Sequence, residues 1–180
     1  MENTIVQSAQ EVHKDKITTK KLVFMGVMIA MGVVISPFLR VLGFCPMQHF
    51  INVIMAVMVG PWYGFVGACC IGIIRMAVMG IPPLALTGAV IGAFLSGLLY
   101  RMFHKNIAAV IGEIIGTGVI GSMVSYPVMT FIMKQGGLSL FYYTPSFVIA
   151  TILGGSLAWL FLLALGKTGQ LEKFQKELNQ

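Results

Sequence analysis

The sequence predicts an all-α integral membrane protein, a six-helix bundle with both termini cytoplasmic. Three observations carry this prediction. Of 180 residues, 57% are hydrophobic and only 10% charged, and the mean hydropathy is +0.89, well above that of ordinary soluble domains. Apolar runs follow one another from about Lys21 to about Gly166 and leave no stretch for a water-soluble domain. The basic residues sit in short flanks of those runs, where they orient the bundle. The predicted organisation is a polar N-terminal tail over 1–20, a membrane domain over 21–166 and a polar C-terminal tail over 167–180.

With about 20 apolar residues per crossing, the spans fall at roughly 21–38, 46–59, 61–80, 83–101, 107–131 and 144–166. The first runs into Pro37 and Arg40 without a small-x-small cleavage site, so it reads as a retained helix and not a signal peptide. The second and third together cover 36 residues from Pro46 to Ile81. As one helix they would extend about 54 Å against a hydrocarbon core of about 30 Å, so a break is required. Gly60-Pro61 supplies it, because glycine readily ends a helix and proline suits the first turn of the next. The second helix is then only about 21 Å long and must be sheltered by its neighbours or enter the membrane partway. Pro82-Pro83 and Pro145 mark the starts of the fourth and sixth helices in the same way.

An even number of crossings puts both ends on one side. Lys14, Lys16, Lys20, Lys21, Arg101, Lys105, Lys167, Lys173 and Lys176 fall on that side, against Arg40, Lys134 and Arg75 opposite. The termini are therefore predicted to be cytoplasmic. Small residues recur at four-residue spacing: Gly60, Gly64, Ala68, Gly72; Ala85, Ala89, Ala93, Gly97; and Ser146, Ala150, Gly154, Ala158. Such stripes let helix backbones approach closely in lipid.

Several function classes are disfavoured. The net charge of +6 could suit nucleic acid, but no basic groove or interleaved aromatics accompany it. Cys45, Cys69 and Cys70 lack paired-ligand spacing, which speaks against a disulfide framework or a metal site, and no cofactor is expected. Gly166-Lys167-Thr168 resembles the end of a phosphate-binding loop, but Phe161 stands where its first glycine is needed. His13 and His104 lie in cytoplasmic flanks and only His49 lies near the membrane, so an enzyme is not expected.

Polar side chains within a membrane are costly unless they face a partner or a cavity. Pro46 in a first turn places Gln48, His49 and Asn52 on or near one face of the second helix, at its external end. About 27 Å of rise along the fifth helix brings Ser125 and Tyr126 to the same side, and Tyr142 and Tyr143 precede the sixth helix there. Together these seven residues form a candidate substrate pocket, mostly apolar with a few polar anchors; a belt of side chains among lipid headgroups is the alternative. Arg75 and Glu113 are possible functional charges. Their depths differ by more than about 10 Å, which argues against a direct pair. Arg75 is expected to reach outward to water, and Glu113 to be protonated, hydrogen-bonded near Thr117 or met by a cytoplasmic cation.

The stretches CPMQHFINVIMAVMVGPWYG, IIRMAVMGIPP, LTGAVIGAFLSGLLYR and GEIIGTGVIGSMVSYP, in order across about 20–165, resemble the ThiW family. These are thiazole-specific substrate-binding subunits, or S components, of energy-coupling factor transporters. The resemblance implies a six-helix body in a prokaryotic plasma membrane, a transmembrane coupling subunit and two ATPase subunits as partners, and no role for nucleic acid. It implies hydroxyethylthiazole, a thiamine precursor, as ligand, and reorientation of the subunit in the membrane; capture from outside with closure of the loop from Arg40 to Met47 over the ligand is the expected mechanism. It also implies that Gly26 and Ala30 on the first helix pack against the coupling subunit, with Gly26 departing from a pattern of two alanines. An S component for hydroxymethylpyrimidine or thiamine, a stand-alone permease or channel, and a ligand-free scaffold are the alternative readings.

Overall fold

The computed structural model describes residues 18–38 and 45–179. Among them there are seven helices and no strand: α1 Thr19–Phe38, α2 Pro46–Val59, α3 Pro61–Met79, α4 Leu84–Phe103, α5 Asn106–Ile132, α6 Thr144–Lys167 and α7 Gln170–Asn179. Five of them, α1 and α3 to α6, are long and apolar enough to cross a membrane, while α2 is a shorter apolar helix of 14 residues. Their outward faces carry exposed Val27, Val78, Phe131 and Leu160, an apolar surface suited to lipid. Arg40 and the rest of the predicted closing loop before Cys45 lie outside the described residues, as does the tail up to Ile17.

The break between α2 and α3 is built as the sequence requires. Pro46 occupies the first turn of α2, and Gly60 ends it at φ 89°, a left-handed conformation that favours glycine. Pro61 starts α3 at once. The short α2 is sheltered by the bundle, with every residue but Met47 and Phe50 buried. One of its last carbonyls, on Val57, accepts a hydrogen bond of 2.8 Å from Gln175 Nε2 of α7. The segment expected as a polar tail thus forms a helix that closes the end of α2, with Leu171 and Leu178 buried. Thr18 Oγ1 donates to Leu178 O at 3.0 Å, so the beginning and end of the described chain meet at that end of the bundle.

Glycines set the contact of α4 with α5. A Cβ on Gly112 would stand 2.7 Å from Ser96 Cα, one on Gly116 2.6 Å from Gly92 Cα, and one on Gly121 2.8 Å from Gly88 O. The steps between these positions are four residues and then five. A π-helical stretch over Ile114–Gly121 contains the longer step, and its wider turn keeps all three glycines against α4. Glu113 is the residue immediately before the π turns.

The stripes of small residues are likewise used inside the bundle. Gly64 packs on Ala56 of α2, Gly97 on Pro61 at the α2–α3 corner, and Gly154 on the first turn of α2. Gly26 and Ala30 belong to none of these stripes. Both are exposed on α1, and a Cβ on Gly26 would meet nothing within 4 Å.

Candidate functional site

The polar groups of α2 do not lie at the surface end of the bundle. Because α2 is anchored through its C-terminal end, Asn52 sits seven residues above Val59, about 10 Å. Glu113 sits seven residues above Asn106, about the same height on α5. The two side chains meet. Asn52 Nδ2 donates to Glu113 Oε1 at 3.0 Å and to the carbonyl of Ala89 on α4 at 3.1 Å. His49 Nδ1 lies 2.9 Å from the same Oε1, and Thr117 Oγ1 donates to it at 3.0 Å. Asn52 and Glu113 are completely buried, and Thr117 nearly so.

This corrects the depth expected from the sequence: the first turn of α2 packs beside Gly154, ten residues into α6, and not at the end of the bundle where α6 begins. Since Oε1 already accepts from Asn52 and Thr117, we assign the hydrogen of the His49 contact to Nδ1. In the neutral tautomer with that hydrogen, Nε2 is an acceptor. Glu113 Oε2 is buried without a hydrogen-bond partner. It faces Gly92, where a Cβ would come within 2.8 Å of it and would overlap Thr117 Oγ1. Glycine at 92 therefore makes room for the Glu113–Thr117 pair.

Gln48 extends the network to α3. Its Nε2 donates to Asn52 Oδ1 at 3.2 Å, and its Oε1 accepts from Arg75 Nη1 at 3.0 Å. Arg75 is 4% exposed, so it turns into the bundle and does not reach outward as its position on α3 had suggested. Arg75 and Glu113 do not touch. Two amides in series join them, each passing on a hydrogen bond in the same sense from cation to carboxylate, and such chains polarise cooperatively.

A cavity of about 290 Å³ opens above this network. Gln48, His49, Thr117 and Arg75 supply its polar wall. Ala85, Gly88 and Ala89 of α4 and Ser146, Phe147 and Ala150 of α6 line its sides. Phe147 leans over Gly88, where a Cβ would stand 2.6 Å from its ring. Tyr142 and Tyr143 close the cavity on the side of the loop before α6. Their rings meet edge to face at 5.0 Å, and Tyr143 OH donates to Gln135 Oε1 at 3.0 Å. Burial first, and then the neighbouring Tyr142, push the Tyr143 phenol up from its ordinary value, which keeps it a neutral hydroxyl.

The seven substrate residues expected from the sequence thus divide. Gln48, His49, Tyr142 and Tyr143 line the cavity. Asn52 lies behind its wall and holds Gln48 and Glu113 in place. Ser125 bonds to Thr87 Oγ1 and to the Gly121 carbonyl, each at 2.7 Å, and serves the α4–α5 contact. Tyr126 is half-buried and away from the cavity. Phe147, Thr117 and Cys45 line the cavity and were not chosen from the sequence as substrate residues. Thr117 had a legible signal, since four residues from Glu113 is the spacing of helix neighbours. Phe147 had none, because aromatic residues recur throughout the apolar spans.

A larger cavity of about 590 Å³ lies among α1, α2, α6 and α7, between Phe24, Met28, Phe50 and Leu165. Its wall is almost wholly apolar, with Thr19, Lys20 and Glu177 its polar lining residues, whereas small-ligand sites combine apolar walls with a few placed polar anchors. The smaller cavity has that composition. Among the described residues no cluster of three His, Cys, Asp or Glu could hold a metal ion.

No curated protein and no solved structure matches the chain. A family model described as thiamine-precursor transporter protein (ThiW) matches residues 22–168, the span that runs from α1 to the end of α6. This multi-pass membrane protein, with a polar-floored cavity enclosed by apolar helices, belongs to the ThiW family of thiamine-precursor transporters.

Proposed function

We propose that the protein is the substrate-binding subunit of an energy-coupling factor importer in a prokaryotic plasma membrane, taking hydroxyethylthiazole from outside. On this reading α2 completes a bundle of six membrane helices whose termini are cytoplasmic. A transmembrane coupling subunit and two ATPases supply the driving force. The observation that carries the reading is the cavity of about 290 Å³ with His49, Gln48 and Thr117 in its wall and Tyr143 and Phe147 at its aromatic side. Its volume lies near the lower end of small-molecule sites, which begin at roughly 300 Å³. Phe147 and Tyr143 stack on the thiazole ring, and His49 Nε2 accepts the hydrogen of the hydroxyethyl group.

Purified protein in detergent tests this directly. Hydroxyethylthiazole should raise its melting temperature, and hydroxymethylpyrimidine and thiamine should do so less. No shift with hydroxyethylthiazole would overturn the assignment of ligand. His49→Ala should weaken thiazole binding by about 1 to 3 kcal/mol, the cost of a lost desolvated hydrogen bond, measured by titration calorimetry. Unchanged affinity would move the ligand's hydroxyl elsewhere in the cavity.

Gly26 and Ala30 are proposed as the contact with the coupling subunit, supported by their exposure on α1. Gly26→Leu should leave thiazole binding by the isolated protein unchanged and impair uptake by the reconstituted complex, because close backbone approach is lost. Full uptake would remove Gly26 from that surface.

A further inference from the structure

We propose that Arg75 sorts ligands by charge, giving the cavity a positive wall that donates to an acceptor on an uncharged or anionic heterocycle and repels a cationic one. This rests on the reading of the cavity as the ligand site and goes beyond it by assigning the basis of its selectivity. The guanidinium lines the cavity and is 4% exposed. Its Nη1 is held by Gln48 Oε1 at 3.0 Å and its Nη2 by Cys45 Sγ, a weak acceptor, at 3.5 Å. Nε is buried with no partner.

No carboxylate among the described residues pairs with this arginine. Glu113 already accepts three donors on Oε1 and turns Oε2 toward Gly92, behind the cavity wall. Glu172 and Glu177 belong to α7, whose contacts lie with the far end of α2. The cation therefore stands at the wall and the anion behind it. A buried guanidinium of this kind is stabilised by an acceptor that a ligand brings, whereas a second positive charge beside it in a low-dielectric space is strongly disfavoured. Gln48 keeps the guanidinium in place from α2, and discrimination arises from repulsion as much as from attraction.

The test uses a pair of ligands matched in size. Hydroxyethylthiazole is compared with its N-methyl thiazolium, which carries a methyl group and a fixed positive charge in place of the ring nitrogen's lone pair, by titration of the full-length protein in detergent. The wild type should bind the neutral ring at least 100-fold more tightly. Arg75→Gln, which keeps hydrogen-bonding capacity without charge, should lose about 10-fold or more in affinity for the neutral ring, as for a charge-assisted hydrogen bond. It should also narrow the preference to within 10-fold. Arg75→Lys keeps the charge and should keep the preference.

A folded Arg75→Gln variant with the wild-type preference overturns the inference while leaving the cavity reading intact. A wild type that binds both rings equally does the same. Binding of neither ring by the wild type overturns both readings together. Should Arg75→Gln not fold, Arg75→Lys decides, because loss of the preference with the charge retained is incompatible with sorting by charge.

Discussion

Replacing Glu113 by alanine should abolish thiazole binding and destabilise the protein by about 3 to 5 kcal/mol, the cost of removing the one oxygen that three buried donors share. His49, Asn52 and Thr117 all converge on Oε1 at 2.9 to 3.0 Å, so one truncation leaves three buried donors without an acceptor. Each such donor costs about 1 to 3 kcal/mol if nothing replaces the bond. Water entering from the cavity offsets part of that sum. The same change releases the His49 ring and, through Asn52, the Gln48 amide, so both polar anchors of the cavity lose their orientation. Glu113→Gln should be milder, about 1 to 3 kcal/mol. It retains one acceptor oxygen but sets an amide NH₂ where Oε2 now has no partner. Chemical denaturation and calorimetric titration in the same detergent measure both quantities. An alanine variant with wild-type stability and affinity would show that the network is not what holds the site.

Gly154→Ala should also cost about 1 to 3 kcal/mol, the range for overpacking a tight contact, and lower thiazole affinity by about 10-fold or more through displacement of an anchor. The added methyl would overlap the carbonyl oxygen of Pro46 and stand 2.9 Å from His49 Cβ and 3.0 Å from the backbone nitrogen of Phe50. Two of these are backbone atoms of the first turn of α2, so no change of rotamer relieves the collision. α2 has to slide or tilt, and His49 moves with it off Glu113. The change at Gly26, where a Cβ meets nothing, serves as the contrasting case. Retained affinity in Gly154→Ala together with an unchanged melting temperature would mean that α2 tolerates the shift.

Both variants expose why the candidate site was only partly legible beforehand. The residues that break helices acted locally. Pro46, Gly60 and Pro61 delimit α2 and α3 where expected because proline lacks the backbone N–H and Gly60 adopts a positive φ. The shortness of α2 followed from those boundaries alone. Its depth did not, because a 14-residue helix can be placed at several heights within a bundle. Gln175 of α7 and the closed contact with Gly154 hold it nearer the end where Thr18 meets Leu178. Counted from the opposite end of the bundle, its first turn would stand level with Ser125 and Tyr126. The actual height sets His49 and Asn52 beside Glu113.

The boundaries of the apolar helices, the need to shelter α2 and the presence of isolated polar groups inside the bundle were determined by the sequence itself. They depend on hydrophobicity and on backbone chemistry within a few neighbouring residues. The convergence of Gln48, His49, Thr117 and Arg75 on one cavity was decided by tertiary structure. So was the use of a π turn to bring Gly112, Gly116 and Gly121 onto α4. These depend on relative height and rotation between helices, which are set by contacts spread over the whole bundle and have no signature in any one segment.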